Sequence, residues 1–255
     1  MLTKSELEDL LRSKNLGSTL FTSNYNDDPV KIQVAPTGID ALDAELDGGL
    51  PRGQLSEIVG ARSTGRMSTL CAVLAAATGR GELVAFVDTL DAFDPGSAAV
   101  AGIDLSRLLW IRGCPGGRDK GTMRALDRAL KAFGLLLHAG GFGVIALDLT
   151  DLADCALRRI PFTTWMRVPR AIEGQPTVCV LVGDRPIARS AGGVTLRLQP
   201  AGDAVRWSGA AGHGGLLLGL EVAVHVTGAR RPHGNRSCQL FISTDAVHPS
   251  LSSSA

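Results

Sequence analysis

The stretch Gln54–Thr78, Q-L-S-E-I-V-G-A-R-S-T-G-R-M-S-T-L-C-A-V-L-A-A-A-T, decides the fold. Gln54–Val59 reads as a buried strand, Ser68–Thr78 as an Ala-rich helix, and Gly60–Thr69 as the loop that joins them. A strand, a Gly-rich loop and a helix in that order form the setting of the phosphate cradle G-x-x-x-x-G-K-[ST]. There the glycines let backbone N–H groups curl around phosphate oxygens at the positive end of a helix. Gly60 and Gly65 have the required separation and enclose Ser63 and Thr64, but Arg66 stands in the lysine position and Met67 in the hydroxyl position. Arg66 keeps the charge on a bulkier planar fork. Met67 removes the oxygen that would ligate magnesium, and a thioether is a poor partner for so hard a cation. Ser68 lies about 100° further around the helix and does not replace it.

Working outward, strand and helix signals alternate. A short helix at Gly38–Leu46 precedes the turn Gly48–Gly53. Downstream come a strand at Leu83–Val87, a turn and strand within Asp104–Ile111, and a long helix at Thr122–His138. Next are an apolar strand at Phe142–Leu147, helical pieces at Leu152–Arg159 and Thr163–Ile172, and a strand at Thr177–Val182. Apolar strands separated by helices predict an open, mostly parallel sheet covered on both faces. After Asp184 the runs Val194–Leu198, Ala204–Trp207, Leu216–Thr227 and Cys238–Ser243 predict antiparallel strands that extend the sheet. Thr3–Lys14 reads as an amphipathic helix with a capping box, 15–30 as a polar linker and 246–255 as a Ser-rich tail. The expected organisation is therefore 1–34 helix and linker, 35–245 core with its β extension, and 246–255 tail.

Composition narrows the function. The 255 residues are 45% hydrophobic and 20% charged, values of a globular chain rather than a disordered or fibrous one. No run of 18 apolar residues and no signal-peptide layout occur, and the five cysteines are odd in number with no C-x-x-C pair. These features predict reduced thiols in the cytoplasm and no metal site. Net charge is only +1, but it is unevenly spread. Residues 1–50 hold four basic against nine acidic side chains, whereas 105–170 hold eleven against five and 185–240 seven against two. Arg185, Arg189, Arg197, Arg206, Arg230, Arg231 and Arg236 are therefore candidates for phosphate contact with nucleic acid. The 4% aromatic content leaves few platforms for stacking single-stranded bases. The long helix carries Met123, Leu126, Leu130, Phe133 and Leu137 on one side and Arg124, Arg128 and Lys131 on the other.

The blocks around the loop add a resemblance. P-T-G-I-D-A-L-D-A-E-L-D-G-G-L-P-R-G-Q-L-S-E-I-V-G (Pro36–Gly60), A-F-V-D-T-L-D-A-F-D-P (Ala85–Pro95), G-I-D-L-S-R-L-L-W (Gly102–Trp110) and V-I-A-L-D (Val144–Asp148) resemble the RecA family, in order, across about residues 36–200. That resemblance implies a RecA-like P-loop NTPase core. It also implies a Walker B-like role for Asp148, and a degenerate nucleotide site formed by Gly60, Ser63, Thr64, Gly65, Arg66 and Asp148. The family's water-activating glutamate falls at Leu90, and its Asn-Gln sensor pair falls at Gly183-Asp184-Arg185, before a loop shorter than the family's. Groups that act as a unit in phosphoryl transfer are not separable, so these changes predict no physiologically meaningful ATP hydrolysis. No cofactor is expected, and residual ATP binding stays open.

A short, degenerate RecA-like chain with a basic C-terminal β region is similar to the ImuA family of bacterial mutagenesis factors. The resemblance implies a non-catalytic adaptor of SOS-induced, error-prone translesion synthesis. Its implied partners are an ImuB-like Y-family protein and a replicative-type mutagenic polymerase, with RecA and sequence-independent nucleic acid as further candidates. A weak DNA-dependent ATPase or recombinase and a SulA-like cell-division inhibitor remain as alternatives.

Overall fold

The computed structural model describes residues 33–114, 119–188, 192–209, 214–228 and 236–243. The expected N-terminal helix, its linker and the C-terminal tail lie outside them. A two-stranded ladder, β1 (Val34–Ala35) with β2 (Leu50–Pro51), brackets the short helix α1 (Asp40–Glu45). β3 (Leu55–Gly60) then leads through the Gly-rich loop into α2 (Arg66–Gly79). The chain continues with β4 (Val84–Asp88), α3 (Pro95–Val100), a 3₁₀ turn at Leu105–Arg107 and β5 (Leu108–Arg112). After it come α4 (Asp119–Ala139), β6 (Val144–Asp148), α5 (Asp154–Leu157), α6 (Phe162–Ile172) and β7 (Val178–Gly183). Three long strands close the order: β8 (Gly192–Ser208), β9 (Leu216–Thr227) and β10 (Arg236–Ser243).

One sheet of eight strands carries the fold, in the spatial order β10-β9-β8-β3-β7-β6-β4-β5. From β8 to β5 the ladders are parallel, and β9 and β10 add antiparallel. The α/β architecture read from the sequence is thus the observed one. Every residue of β3, β4, β6 and β7 is buried; β7, and β4 and β6 up to their terminal aspartates, therefore read as apolar runs rather than alternating ones, while β3 buries Ser56 and Glu57 among its apolar residues.

Each face of the sheet has its own core. On one side α2 packs Leu70, Val73, Leu74 and Ala77 against Ile58, Phe86, Val180 and the inward side chains of β8–β10. On the other, α4 contributes Leu126, Phe133 and Leu137, and α6 contributes Trp165, Val168 and Ile172, against Ile145, Leu147 and Leu181. Trp165 is buried whereas its neighbour Met166 is exposed, so the helical period divides the pair.

One expectation is corrected. Val194–Leu198 and Ala204–Trp207 are not separate strands. They are the two ends of β8, both paired with β9, and the register shifts between Pro200 and Val205. The intervening residues form a bulge around Gly202, whose φ is +51°, so a turn-like composition inside the strand concealed its continuity. Among the described residues no helix is long and apolar enough to cross a membrane.

Candidate functional site

Parallel strands of one sheet deliver their C-terminal ends to one edge, where open α/β folds bind ligands. Here β3 ends at Gly60, β4 at Asp88, β6 at Asp148 and β7 at Gly183 followed by Asp184. The loop between β3 and α2 is tightly wound. Ser63 takes the left-handed conformation at φ +59°, and Gly65 follows at φ +81°. A Cβ on Gly65 would lie 2.0 Å from Ile242 Cδ1 of β10, and one on Gly60 would lie 2.4 Å from Thr64 Oγ1. Gly60 needs glycine for space, since a Cβ there would also lie 2.9 Å from Leu198 O, whereas Gly65 needs it for its left-handed backbone, with the end of the Ile242 side chain having to shift as well. Thr64 is buried and donates its hydroxyl to Ala61 O at 2.8 Å.

Arg66, at the helix start, is turned back into this loop and only 6% exposed. Its Nη1 donates to Gly60 O at 2.6 Å and to the Asp184 carboxylate, and its Nη2 lies 3.6 Å from Asp151 Oδ1. Asp151 also accepts from Arg62 Nε at 2.7 Å, and that contact raises the already high pKa of Arg62. The one side chain that keeps the charge of a phosphate cradle is therefore neutralised from within the chain. With Arg62 and Arg66 facing Asp151 and Asp184, and Asp148 close by, the loop carries no excess positive charge for an incoming anion.

Two carboxylates stand at the ends of adjacent strands, Asp88 opposite Asp148. Asp88 is fully buried and accepts from Ala92 N, Phe93 N and Trp110 Nε1 at 2.9–3.3 Å, which pins the turn after β4. Asp148 accepts from Thr150 N at 2.9 Å. Burial pushes its carboxyl up to about 6; the charge of Asp88 adds to that and the Arg66 guanidinium opposes it. Met67 is half-buried against the core beneath the C-terminal strands, so it serves packing. Leu90 packs on the opposite core. Its neighbour Asp91 has φ +59° and is held by both oxygens to Arg112 at 2.8–2.9 Å. Among the described residues no group of three metal-ligating side chains gathers.

Beside the loop lies a recess of about 160 Å³ bordered by Thr64, Asp184, Arg197 and Gln199. Pockets for drug-sized ligands run to about 300–1,000 Å³, so this one is small for a nucleotide. Of the arginines considered for nucleic acid, Arg197 is exposed and borders this recess. Arg185 pairs with Asp154 at 2.5 Å, Arg206 with Glu221 at 2.5 Å and Arg236 with Asp47 at 3.2 Å. Arg236 also donates to Glu45 O at 2.6 Å. Arg189, Arg230 and Arg231 lie outside the described residues.

Residues 7–150 match the RecA N-terminal domain family. The chain belongs to that family. Among curated relatives it is 36% identical over 120 residues to protein RecA of Symbiobacterium thermophilum, covering 47% of this chain and 31% of that one. Identity to protein RecA of Methylococcus capsulatus is 38% over 118 residues, covering 46% and 31%. The match to protein RecA of Streptomyces ambofaciens is longer, 143 residues at 32%, covering 56% and 35%. The chain thus spans about a third of the length of the RecA proteins it matches. In three dimensions it is similar to the crystal structure of the RadB recombinase, with a TM-score of 0.58 at 15% identity over 84% of this chain and 98% of that one.

Within this RecA-family frame, two residues that shape the site were not singled out from the sequence. Glu57, 2% exposed in the middle of β3, accepts from Ile187 N at 2.7 Å, Ala188 N at 2.9 Å and Thr195 Oγ1 at 3.3 Å. It fixes the segment after β7 that presents Asp184 to Arg66. A glutamate inside an apolar strand was its visible signal. Asp151, in the turn after β6, was the second, and its partner Arg66 becomes apparent only once the strands are ordered.

Proposed function

We propose that this RecA-family chain is a non-catalytic adaptor whose phosphate loop is occupied by its own side chains. The observation that carries the reading is the Arg66–Asp184–Asp151 cluster, with Arg66 almost fully buried. A triphosphate needs the loop's positive charge, a metal clamp and an oriented water together. Here the charge is spent on two carboxylates, Met67 offers no oxygen, and Leu90 belongs to the core. The adaptor would act in the cytoplasm, in SOS-induced error-prone translesion DNA synthesis. It would join an ImuB-like Y-family protein and a replicative-type mutagenic polymerase, and would touch RecA or DNA to modulate recombination.

The test has two arms. Phosphate release by the purified chain, with and without DNA, is expected to stay at background; turnover abolished by Asp148→Asn would overturn the non-catalytic reading. Co-purification from DNA-damaged cells is expected to recover polymerase components. Recovery of the tubulin-like division protein instead would favour division inhibition.

A further inference from the structure

Nine described arginines form ion pairs with carboxylates of the same chain: Arg52, Arg62, Arg66, Arg80, Arg107, Arg112, Arg185, Arg206 and Arg236. The described basic side chains without such a partner are not scattered over the remainder. Apart from Arg197, they share one layer of the fold, the helices that cover the Leu126–Trp165 side of the sheet. Arg124, Arg128 and Lys131 stand on the solvent side of α4, Arg158 and Arg159 follow α5, and Arg167 and Arg170 lie on α6, all exposed.

The carboxylates of this layer do not balance them. Asp151 and Asp154 are engaged by Arg62 and Arg185 from outside the layer, which leaves, among the described side chains, the exposed Asp127 and Glu173. Among the described side chains of the layer, seven cations against two acids, in a chain of net charge +1, make a concentrated positive face. It was visible in the sequence as the basic excess of 105–170 and the basic side of the long helix, and the adaptor reading names DNA as a contact without giving it a surface. Holding like charges together without counterions is unfavourable, and a polyanion relieves it.

We propose that the solvent face of α4, α5 and α6 is a docking surface for the phosphate backbone of duplex DNA. Charge complementarity identifies the occupant, and the spacing agrees. Arg124, Arg128 and Lys131 recur at i, i+4 and i+7, a row about 10 Å long on one side of the helix. α6 packs beside α4 and carries Arg167 and Arg170 as a second set. Two rows on neighbouring helices, about 8–10 Å apart by ordinary helix packing, suit the two phosphate rails that border a groove. An acidic protein partner would call for apolar anchors gathered at the centre of the patch. The exposed apolar side chains here, Leu135 on α4 and Phe162 and Met166 on α6, are distributed over two helices among the cations. A single strand would call for stacking platforms, and Phe162 is the exposed ring of the described layer. The surface is separate from the phosphate loop, and the proposal stands whether or not the loop binds nucleotide.

Fluorescence anisotropy with a labelled duplex of random sequence tests it on the full chain. Each neutralised phosphate contributes about −0.9 to the slope of log K against log salt, so four to six contacts give a slope of about −4 to −5. Affinity should then fall about 10²–10³-fold between about 50 and about 200 mM salt. The variant Arg124→Gln/Arg128→Gln/Lys131→Gln is expected to lower the slope magnitude by about two to three. The charge-conserving variant R124K/R128K/K131R should retain it. Arg107→Gln, which removes one charge paired with Asp104 outside the layer, should leave binding within about two-fold. Duplex binding unchanged by the triple glutamine variant would overturn the proposal, as would tighter binding of single strands at equal phosphate number. Binding of poly-glutamate without binding of duplex would assign the face to an acidic protein instead and overturn it equally.

Discussion

Removing Asp184 should convert an internally satisfied loop into an anion-binding one. The Asp184→Ala variant leaves the guanidinium of Arg66, with its side chain 8% exposed, short of its nearest carboxylate. Breaking a fully buried pair by deleting one partner costs about 3–5 kcal/mol. Two features reduce that figure here: the Asp184 side chain is itself 43% exposed, and Arg66 keeps Gly60 O at 2.6 Å and Asp151 at 3.6 Å. A loss of about 2 kcal/mol is the resulting expectation, which for a unit of this size lowers Tm by about 4–8 °C. The same quantity reappears in binding. In the native chain an incoming phosphate must displace Asp184, whereas in the variant it meets Arg66 freed of its nearest carboxylate, so inorganic pyrophosphate should bind the variant about 30-fold more tightly. At about one hundred times its Kd, pyrophosphate adds about 2.7 kcal/mol and should restore the lost Tm. Differential scanning fluorimetry with a pyrophosphate titration reads both effects in one experiment. Equal pyrophosphate affinity in the two proteins, or a variant that melts with the native chain, would refute the idea that Asp184 stands where a phosphate would.

Three further outcomes follow from the same geometry. The buried Asp148 has its folded pKa raised to about 6 from an ordinary 3.8, so its contribution to stability is fully present below pH 3.8 and lost as pH rises through about 6. Asp148→Asn should therefore gain up to about 3 kcal/mol over the native chain at pH 7.5 and nothing at pH 3.5, as read by urea denaturation at both values. Gly65→Ala must place a Cβ at φ +81° and 2.0 Å from Ile242 Cδ1, and should cost about 2–3 kcal/mol. Adding Ile242→Ala should recover part of that cost in a double-mutant cycle, because it relieves the contact but not the backbone. Glu57→Ala leaves the N–H groups of Ile187 and Ala188 without their acceptor and should cost about 3–5 kcal/mol. Hydrogen exchange is expected to show those two amides losing protection before the β3–β7 ladder does.

Much of the scaffold was legible because its elements are strongly patterned. β7 is apolar throughout and β6 up to Asp148, α4 repeats its core residues at three- and four-residue intervals, and Gly60 and Gly65 punctuate a strand and a helix. Local composition sufficed for each. It did not suffice for β8, where the bulge between Pro200 and Val205 breaks the alternation that identifies a strand and the pairing with β9 restores it. Pairing is a tertiary property, and a reading confined to neighbouring residues divides such a strand in two.

The site shows the same limit in electrostatic form. Arg66 in a lysine position suggests a retained phosphate contact when considered alone, since the sign of the charge is kept. Asp184, 118 positions later, reverses that inference, because β3 and β7 are neighbours and place the two side chains in contact. The two departures from the RecA pattern are complementary in charge and meet at one point. A guanidinium suits this arrangement better than an ammonium: its planar fork serves Gly60 O, Asp184 and Asp151 in different directions at once, which a single Nζ on a flexible stem does with less order. Arg66→Lys would therefore not return the loop to phosphate binding, because Asp184 and Asp151 would still hold the charge. Only removal of the carboxylate changes what the loop can accept. The departure that governs this site is Asp184, with Arg66 as its partner.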